Sequence, residues 1–286
     1  MHFLIAPLRH VPESPLQRLP IAFLGGGNMA DALIGGLVAA GHDADAVTVI
    51  EPDAERASAL GARHGVRVQA PGSALPSDGI VVLAVKPQQA AAALAETPPP
   101  PGSLLVSIAA GLSCDWLGSR LPAGTPVVRC MPNTPARLGA GVSGLWAPAT
   151  VDDAARERAG YVLAAAGAVA WLEHEDQINA VTALSGSGPA YVFALGEAMA
   201  EAGVALGLPA DTAQSLARQT LIGAGRLLAE DRASPGELRA RVTSAGGTTA
   251  AALDVLGGGL DDLVLRAMQA AERRARELSA PEDAAR

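Results

Sequence analysis

The stretch Ile21-Ala22-Phe23-Leu24-Gly25-Gly26-Gly27-Asn28-Met29-Ala30 decides how the rest of the chain is read. Four apolar residues make a short buried-strand pattern and a glycine run interrupts it. Ala32, Leu33, Ile34, Leu37 and Val38 then continue at helical spacing up to Gly41. Glycines at 25 and 27 with a small residue at 30 give G-x-G-x-x-A between a strand and a helix. Each position has its own physical role. Gly25 permits the tight turn, Gly27 lets a pyrophosphate approach the backbone, and Ala30 lets helix and strand pack closely. Unpaired N–H groups and the helix dipole favour an anion at such a helix start. Asn28 is the expected N-cap, and Met29 sits beside it in the same first turn. The stretch therefore points to a bound dinucleotide, with Gly25, Gly27, Asn28, Met29 and Ala30 as its candidate contacts.

Outward from this stretch, short apolar runs alternate with helical patterns. Strands are expected at Val47–Ile50, Val66–Val68, Ile80–Val85, Leu104–Ile108 and Val127–Cys130, with a further pair at Gly141–Trp146 and Val169–Leu172. Helices are expected at Pro52–His64, Gln88–Ala95, Cys114–Leu121 and Asp152–Ala166. This alternation predicts an α/β fold, a doubly wound and mostly parallel Rossmann-like sheet over residues 20–173. After Glu173 the alternation stops, and residues 174–286 read as an all-helical domain. Runs such as Ala198–Leu208 are apolar nearly all round, so these helices are expected to bury more than one face. An intertwined homodimer would do this, and a monomeric bundle remains open. Residues 1–19 carry three prolines and no sustained period, and are expected to form an exposed tail.

Composition narrows the function classes. A net charge of −8 argues against a nucleic-acid surface. The longest apolar run, from Tyr161 to Leu172, is too short to cross a bilayer. Cys114 and Cys130 have neither a disulfide framework nor metal-ligand spacing, so a reducing cytoplasm is the expected setting. The histidines are scattered singly, and no metal site is expected.

In such a sheet, ligands bind beyond the carboxyl ends of the strands. Glu51 ends the second strand, where an acid can bond the ribose 2′-OH of NAD, whereas Arg56 could meet a 2′-phosphate instead. Glu51 tilts the reading toward NADH. Ala84-Val85-Lys86-Pro87 closes the fourth strand, and Lys86 is the only lysine of the chain. It lies where a cation can reach cofactor phosphate or ribose. Ala110, after the fifth strand, leaves room for a nicotinamide ring close to backbone, and Asn133 is held in a loop between Pro132 and Pro135. In the helical half, Thr243-Ser244-Ala245-Gly246-Gly247-Thr248-Thr249 places hydroxyls and a glycine pair directly before a helix. That composition builds an anion pocket without a basic side chain.

Five motifs taken together resemble those of the pyrroline-5-carboxylate reductases. They are Phe23–Ala30, Ala84–Pro87, Arg129–Pro135, Leu184-Ser185-Gly186-Ser187-Gly188-Pro189-Ala190-Tyr191 and Thr243–Thr249, and they run in that family's order over nearly all the chain except the tail. One departure is Ala245, where the family usually carries proline. The resemblance implies reduction of 1-pyrroline-5-carboxylate to L-proline, the last step of proline synthesis, with NADPH or NADH as cofactor. It also implies a helical domain that interlocks into a homodimer, often assembled into larger rings such as a decamer. By position, the backbone of Gly246, Gly247 and Thr248 would hold the substrate carboxylate with help from Ser244, and Thr249 would hydrogen-bond the ring nitrogen as the catalytic contact. A protonated imine is already electrophilic, so the enzyme mainly has to position it, and no catalytic His or Lys is needed. The alternatives are a reductase of another cyclic imine and a nucleotide-binding regulatory protein on the same scaffold. A β-hydroxyacid dehydrogenase fits less well, because that family relies on an interdomain lysine and none follows residue 86.

Overall fold

The computed structural model describes residues 15–279, so residues 1–14 of the expected tail lie outside the described residues. By compactness the chain divides into two units, one running to Gly186 and resuming at Ala271, the other spanning Ser187–Ala270. The change from alternating to helical pattern, near Glu173, precedes that division.

The first unit is built on one eight-stranded sheet: β1 (Ile21–Leu24), β2 (Val47–Ile50), β3 (Arg67–Gln69), β4 (Ile80–Leu83), β5 (Leu104–Ser107), β6 (Val127–Met131), β7 (Gly141–Trp146) and β8 (Gly167–Trp171). Their spatial order is β3-β2-β1-β4-β5-β6-β7-β8. The order reverses beside β1, where the glycine turn lies. Phe23 pairs with Val49 on one side and Val82 on the other, both in parallel register. Only β6 and β7 run antiparallel, Cys130 opposite Leu145, which fits the expected mostly parallel sheet.

Strands β1, β2, β4 and β5 are buried along their whole length. A strand covered on both faces has no polar side to present, hence the nearly unbroken apolar runs, interrupted only by buried Thr48 in β2 and Ser107 in β5. Ile21, Phe23, Val49 and Val82 face one core cluster, with Leu33 and Leu37 from α1 (Asn28–Ala39). Leu24, Val81, Leu83 and Leu105 face the other, with Leu94 from α3 (Ala90–Glu96) and Leu117 from α4 (Cys114–Gly118). Each fully buried Leu, Ile or Phe contributes about 1.5–3 kcal/mol of transfer free energy.

The remaining helices of this unit are α2 (Ala54–His64), α5 (Asp153–Ala164) and α6 (Gln177–Val181), the last followed by a π-turn over Thr182–Gly186. Asp53 caps α2 and Gly65 ends it in the left-handed conformation at φ 71°.

Two sequence expectations need correction. Asn28 is not the N-cap of α1: Gly27 takes that position, with extended backbone and no side-chain cap, while Asn28 is already helical and exposed. Residues 15–19 are not an exposed tail. Pro15–Arg18 forms a 3-10 turn, the Gln17 carbonyl accepts the Asp43 N–H at 2.8 Å, and Leu19 packs against the core.

The second unit contains α7 (Gly188–Ala205), α8 (Ala210–Glu230), α9 (Pro235–Arg241), α10 (Thr248–Gly257) and the first part of α11 (Leu260–Ser279). It contains no strand. Helices α7 and α8 approach closely at glycine: a Cβ at Gly196 would lie 2.8 Å from Leu221, and one at Gly203 would lie 3.1 Å from the Ala213 Cβ. Yet α7 and α10 bury no residue fully, and Phe193, Leu206 and Val255 stay 68%, 87% and 80% exposed. Apolar exposure of this extent marks an interaction surface. No helix among the described residues is long and apolar enough to cross a membrane.

Candidate functional site

A cleft of about 540 Å3 opens at the carboxyl ends of β1, β2 and β4, walled by the glycine turn, Glu51, Arg56 and Lys86. The three glycines are needed for different reasons. Gly25 has φ 99° and donates its N–H to the Ile50 carbonyl at 2.9 Å; a Cβ there would sit 2.9 Å from Val85 and 3.1 Å from the Ala84 carbonyl oxygen. At Gly26 a Cβ would lie 2.4 Å from Leu60 Cδ1. At Gly27 it would meet nothing within 4 Å. Gly27 therefore leaves open space on the cleft side, as the approach of a phosphate to backbone requires.

The first intrahelical bond of α1 runs from Asp31 N to Gly27 O at 2.9 Å, and no side chain caps the turn before it. The N–H groups of Asn28, Met29 and Ala30 thus end the helix uncapped, with the dipole behind them. Ala30 is buried, holding helix against strand as the spacing required.

Glu51 is buried at 6% exposure and its carboxylate is engaged. Oε2 accepts the Gly26 N–H at 2.8 Å, Oε1 accepts the Asp53 N–H at 3.0 Å, and the half-exposed Arg56 guanidinium stands 3.5 Å from Oε2. The N–H of Arg56 holds the Asp53 carboxyl below its ordinary pKa, with the Arg56 charge adding to the effect. Ala84 and Val85 also line the cleft, and Lys86 is exposed along its wall; Pro87 opens a 3-10 turn without lining it.

Two expected contacts lie elsewhere. Ala110 borders a separate pocket of about 30 Å3, with Met131, Asn179 and Thr182. Asn133 borders neither, and its amide is engaged on both sides. Its Oδ1 accepts the Val142 N–H at 2.9 Å and its Nδ2 donates to the Ser185 carbonyl at 3.0 Å. The side chain thereby fastens β7 and the π-turn to the loop after β6. Below that loop, Glu175 accepts from Cys114 N at 2.8 Å and pairs with buried Arg129 at 3.1 Å. Burial, reinforced by the Glu175 charge, pushes the Cys114 thiol up to about 12, so it stays a neutral thiol.

The sequence reading missed the α3 wall. Gln88, Ala92 and Glu96 and, beside them, Gln89, Ala93 and Thr97 line the cleft. Both sets recur every four residues, one face of a helix. The signal was the alanine run after the fourth strand, which leaves that face without bulk.

In the second unit, the hydroxyl-rich loop ends at Gly247, the extended N-cap of α10, again without a side-chain cap. The first helical bond, Ala251 N to Gly247 O at 3.2 Å, leaves the N–H groups of Thr248, Thr249 and Ala250 uncapped. Gly247 donates its own N–H to Ser244 O at 3.1 Å, and Gly246 turns the loop at φ 68°. Ser244 and Thr248 are exposed and Thr249 half-buried.

Comparison with known proteins bears directly on this arrangement. Residues 175–278 match the family model described as pyrroline-5-carboxylate reductase dimerisation, and residues 20–111 match that of the coenzyme F420-dependent NADP oxidoreductases. The pyrroline-5-carboxylate reductase of Pseudomonas aeruginosa is 46% identical over 263 residues, covering 91% of this chain and 96% of its own. The chain belongs to the pyrroline-5-carboxylate reductase family.

Among solved structures, the pyrroline-5-carboxylate reductase of Coxiella burnetii is 40% identical with a TM-score of 0.84, over 92% of this chain and all (100%) of its own. That of Plasmodium falciparum, solved with NADP bound, is 25% identical with a TM-score of 0.77, over 92% and 99%. As a member of this family, the chain is an NAD(P)-dependent oxidoreductase. Its residues fit a dinucleotide: an open Gly27, uncapped N–H groups at the start of α1, and a cleft with one lysine and one arginine on its walls.

Proposed function

We propose that this chain reduces 1-pyrroline-5-carboxylate to L-proline with NADPH or NADH, closing proline biosynthesis. The observation that carries the reading is similarity to a curated reductase along 91% of the chain, with the glycine turn and the hydroxyl-rich loop both present as uncapped helix starts.

The glycine turn and the first turn of α1 hold the pyrophosphate through backbone N–H groups. Lys86 and Arg56 supply the cations within reach of phosphate or ribose oxygens. The bound reduced nicotinamide supplies hydride for the imine carbon. In the second unit, the backbone around Gly246, Gly247 and Thr248, with the Ser244 hydroxyl, holds the substrate carboxylate. The free N–H donors of Thr248 and Thr249 are the strongest part of that cradle, since Gly247's own N–H is spent inside the turn. The Thr249 hydroxyl hydrogen-bonds the ring nitrogen and fixes the face that the imine presents. Fixing the geometry removes several kcal/mol of barrier, which suits a reaction that needs no strong general acid.

The chain acts as a homo-oligomer, and a homodimer is the smallest form that covers the apolar faces of α7, α8 and α10; a ring such as a decamer would build on it. The setting is cytoplasmic, where two buried free thiols stay reduced.

The test mixes purified protein with 1-pyrroline-5-carboxylate and NADPH or NADH, follows the reduced-nicotinamide absorbance, and identifies proline in the product. Oxidation with proline formed in equal amount is expected. Cofactor binding with no oxidation would overturn the reading in favour of another cyclic imine or a regulatory role.

A further inference from the structure

We propose that Glu51 is a positioning residue: its buried carboxylate ties the glycine turn to the turn after β2 and so shapes the dinucleotide cleft, in place of reading the ribose 2′-hydroxyl. This rests on the dinucleotide reading of the cleft given above.

Each oxygen of the carboxylate already accepts a backbone N–H. Glu51 follows β2, and its own N–H donates to the Gln69 carbonyl at 3.3 Å, so its backbone continues the sheet. From that fixed base the side chain reaches back across to β1's turn, where Oε2 takes the Gly26 N–H at 2.8 Å. Its other oxygen takes the Asp53 N–H at 3.0 Å, at the residue that caps α2. One side chain therefore joins two loops, residues 25–27 and 51–53, that wall the same cleft.

Gly26 has little freedom to find another acceptor. It is buried, and a Cβ there would lie 2.4 Å from Leu60 Cδ1 and 3.2 Å from Glu51 Oε2, so its backbone is pressed onto α2 and β2. A buried N–H without a partner is costly, whereas a ribose hydroxyl in an open cleft can turn to water. The carboxylate also meets its own need here: a buried charge persists when hydrogen bonds and a counter-charge surround it, and two N–H donors with Arg56 at 3.5 Å do so. The N–H of Gly26 is thereby held inward, and the adjoining Gly27 is presented to the cleft as the uncapped start of α1.

The two roles separate in binding. A ribose reader distinguishes NAD+ from NADP+, and a loop anchor serves both. The experiment titrates NAD+ and NADP+ calorimetrically into the wild-type protein, Glu51→Ala and Glu51→Gln. It also measures hydrogen–deuterium exchange of peptides over residues 24–29 and 51–54 without ligand. Glu51→Ala is expected to lose about tenfold or more in affinity for both dinucleotides, with their ratio kept, as one charge-assisted hydrogen bond to the loop disappears. Exchange over both peptides rises, while exchange in α7 and α8 keeps the wild-type rate. Glu51→Gln keeps one acceptor oxygen and restores part of both effects, and it decides the matter alone should Glu51→Ala not fold. Loss of NAD+ affinity with NADP+ spared, or unchanged affinity and exchange, overturns the proposal. A wild-type protein that binds neither dinucleotide overturns the cofactor reading itself, while ligand-free exchange still judges the anchor.

Discussion

Substituting alanine for Gly27 and, separately, for Gly25 divides binding from folding at two neighbouring positions of one turn. Gly27 has φ −69° and ψ 179°, an extended conformation open to any residue, and its added Cβ would meet nothing within 4 Å. As an N-cap, alanine is poorer than glycine by about 0.5–1 kcal/mol. Removing glycine's freedom from the unfolded chain returns about 0.4–1 kcal/mol. These offset, so Gly27→Ala should melt within about 2 °C of the wild type. Its methyl group, however, would project where the proposed cofactor's phosphate oxygens approach the backbone. Losing one such charge-assisted bond, about 1.5–3 kcal/mol, weakens NAD+ and NADP+ roughly 10- to 100-fold. Gly25 behaves in the opposite way. At φ 99° a side chain is strained by about 1–2 kcal/mol, and contacts of 2.9 Å to Val85 and 3.1 Å to backbone add an overpacking cost of about 1–3 kcal/mol. Gly25→Ala should therefore melt roughly 5–15 °C lower. Differential scanning calorimetry and isothermal titration with each dinucleotide measure both quantities. Wild-type dinucleotide affinity in a well-folded Gly27→Ala protein would refute this reasoning, because the phosphates would then not approach that backbone.

Three further outcomes follow from other parts of the molecule. Thr249→Ala should lower kcat on 1-pyrroline-5-carboxylate by about tenfold or more while leaving calorimetric NADP+ affinity unchanged, and Thr249→Ser should recover most of the rate; equal loss of dinucleotide binding would mean that the loop has another role. Asn133→Ala strands the Val142 N–H and the Ser185 carbonyl, costing about 2–4 kcal/mol and lowering the melting point by roughly 5–15 °C, and an unchanged melting point would show that the amide bridges are replaceable. Burial lowers the His42 pKa beneath its ordinary 6.5, so the unfolded chain binds this proton more readily than the folded one. That contribution to stability is complete above about pH 6.5 and is lost as pH falls through the folded value; melting points between about pH 7.5 and 5 should fall more steeply in the wild type than in His42→Gln.

The fold was legible because burial on both faces writes itself into composition: β1 and β4 are wholly apolar, and β2 and β5 carry one small hydroxyl residue each. What escaped the reading depends on partners distant in sequence. Asn133 stands out between two prolines, but nothing local reveals that it bonds residues nine and fifty-two positions away. Glu51 is conspicuous at a strand end, yet its partner Gly26 lies twenty-five positions earlier. Asn28 misled for a different reason: the N-cap is decided by which residue is last in extended backbone, and that is Gly27 whatever side chain follows. The short turn at Pro15–Arg18 was hidden by proline content, because its hold on the core is a carbonyl, Gln17 O, which sequence does not distinguish from any other.

A chain with one lysine and net charge −8 is nevertheless expected to hold an anionic dinucleotide and a carboxylate. The two candidate sites meet that demand by one device. At α1 and α10 the N-cap is a glycine in extended backbone, Gly27 at φ −69° and Gly247 at φ −82°, and neither can cap its helix with a side chain. Helices α2, α4, α5 and α9 begin instead with Asp53, Ser113, Asp152 and Ser234, each accepting a first-turn N–H; α3, α6, α7 and α8 also lack a side-chain cap, but none of their N-caps is a glycine. A capping carboxylate at Gly27 or Gly247 would strengthen its helix by only a few tenths of a kcal/mol, and it would fill the place of the ligand. It would also put a negative charge where an anion must enter. At little cost in local stability, the glycines leave the N–H donors and the positive end of the helix dipole free. On the proposed function, anion recognition is carried by main chain more than by basic side chains, which is how an acidic protein would perform it.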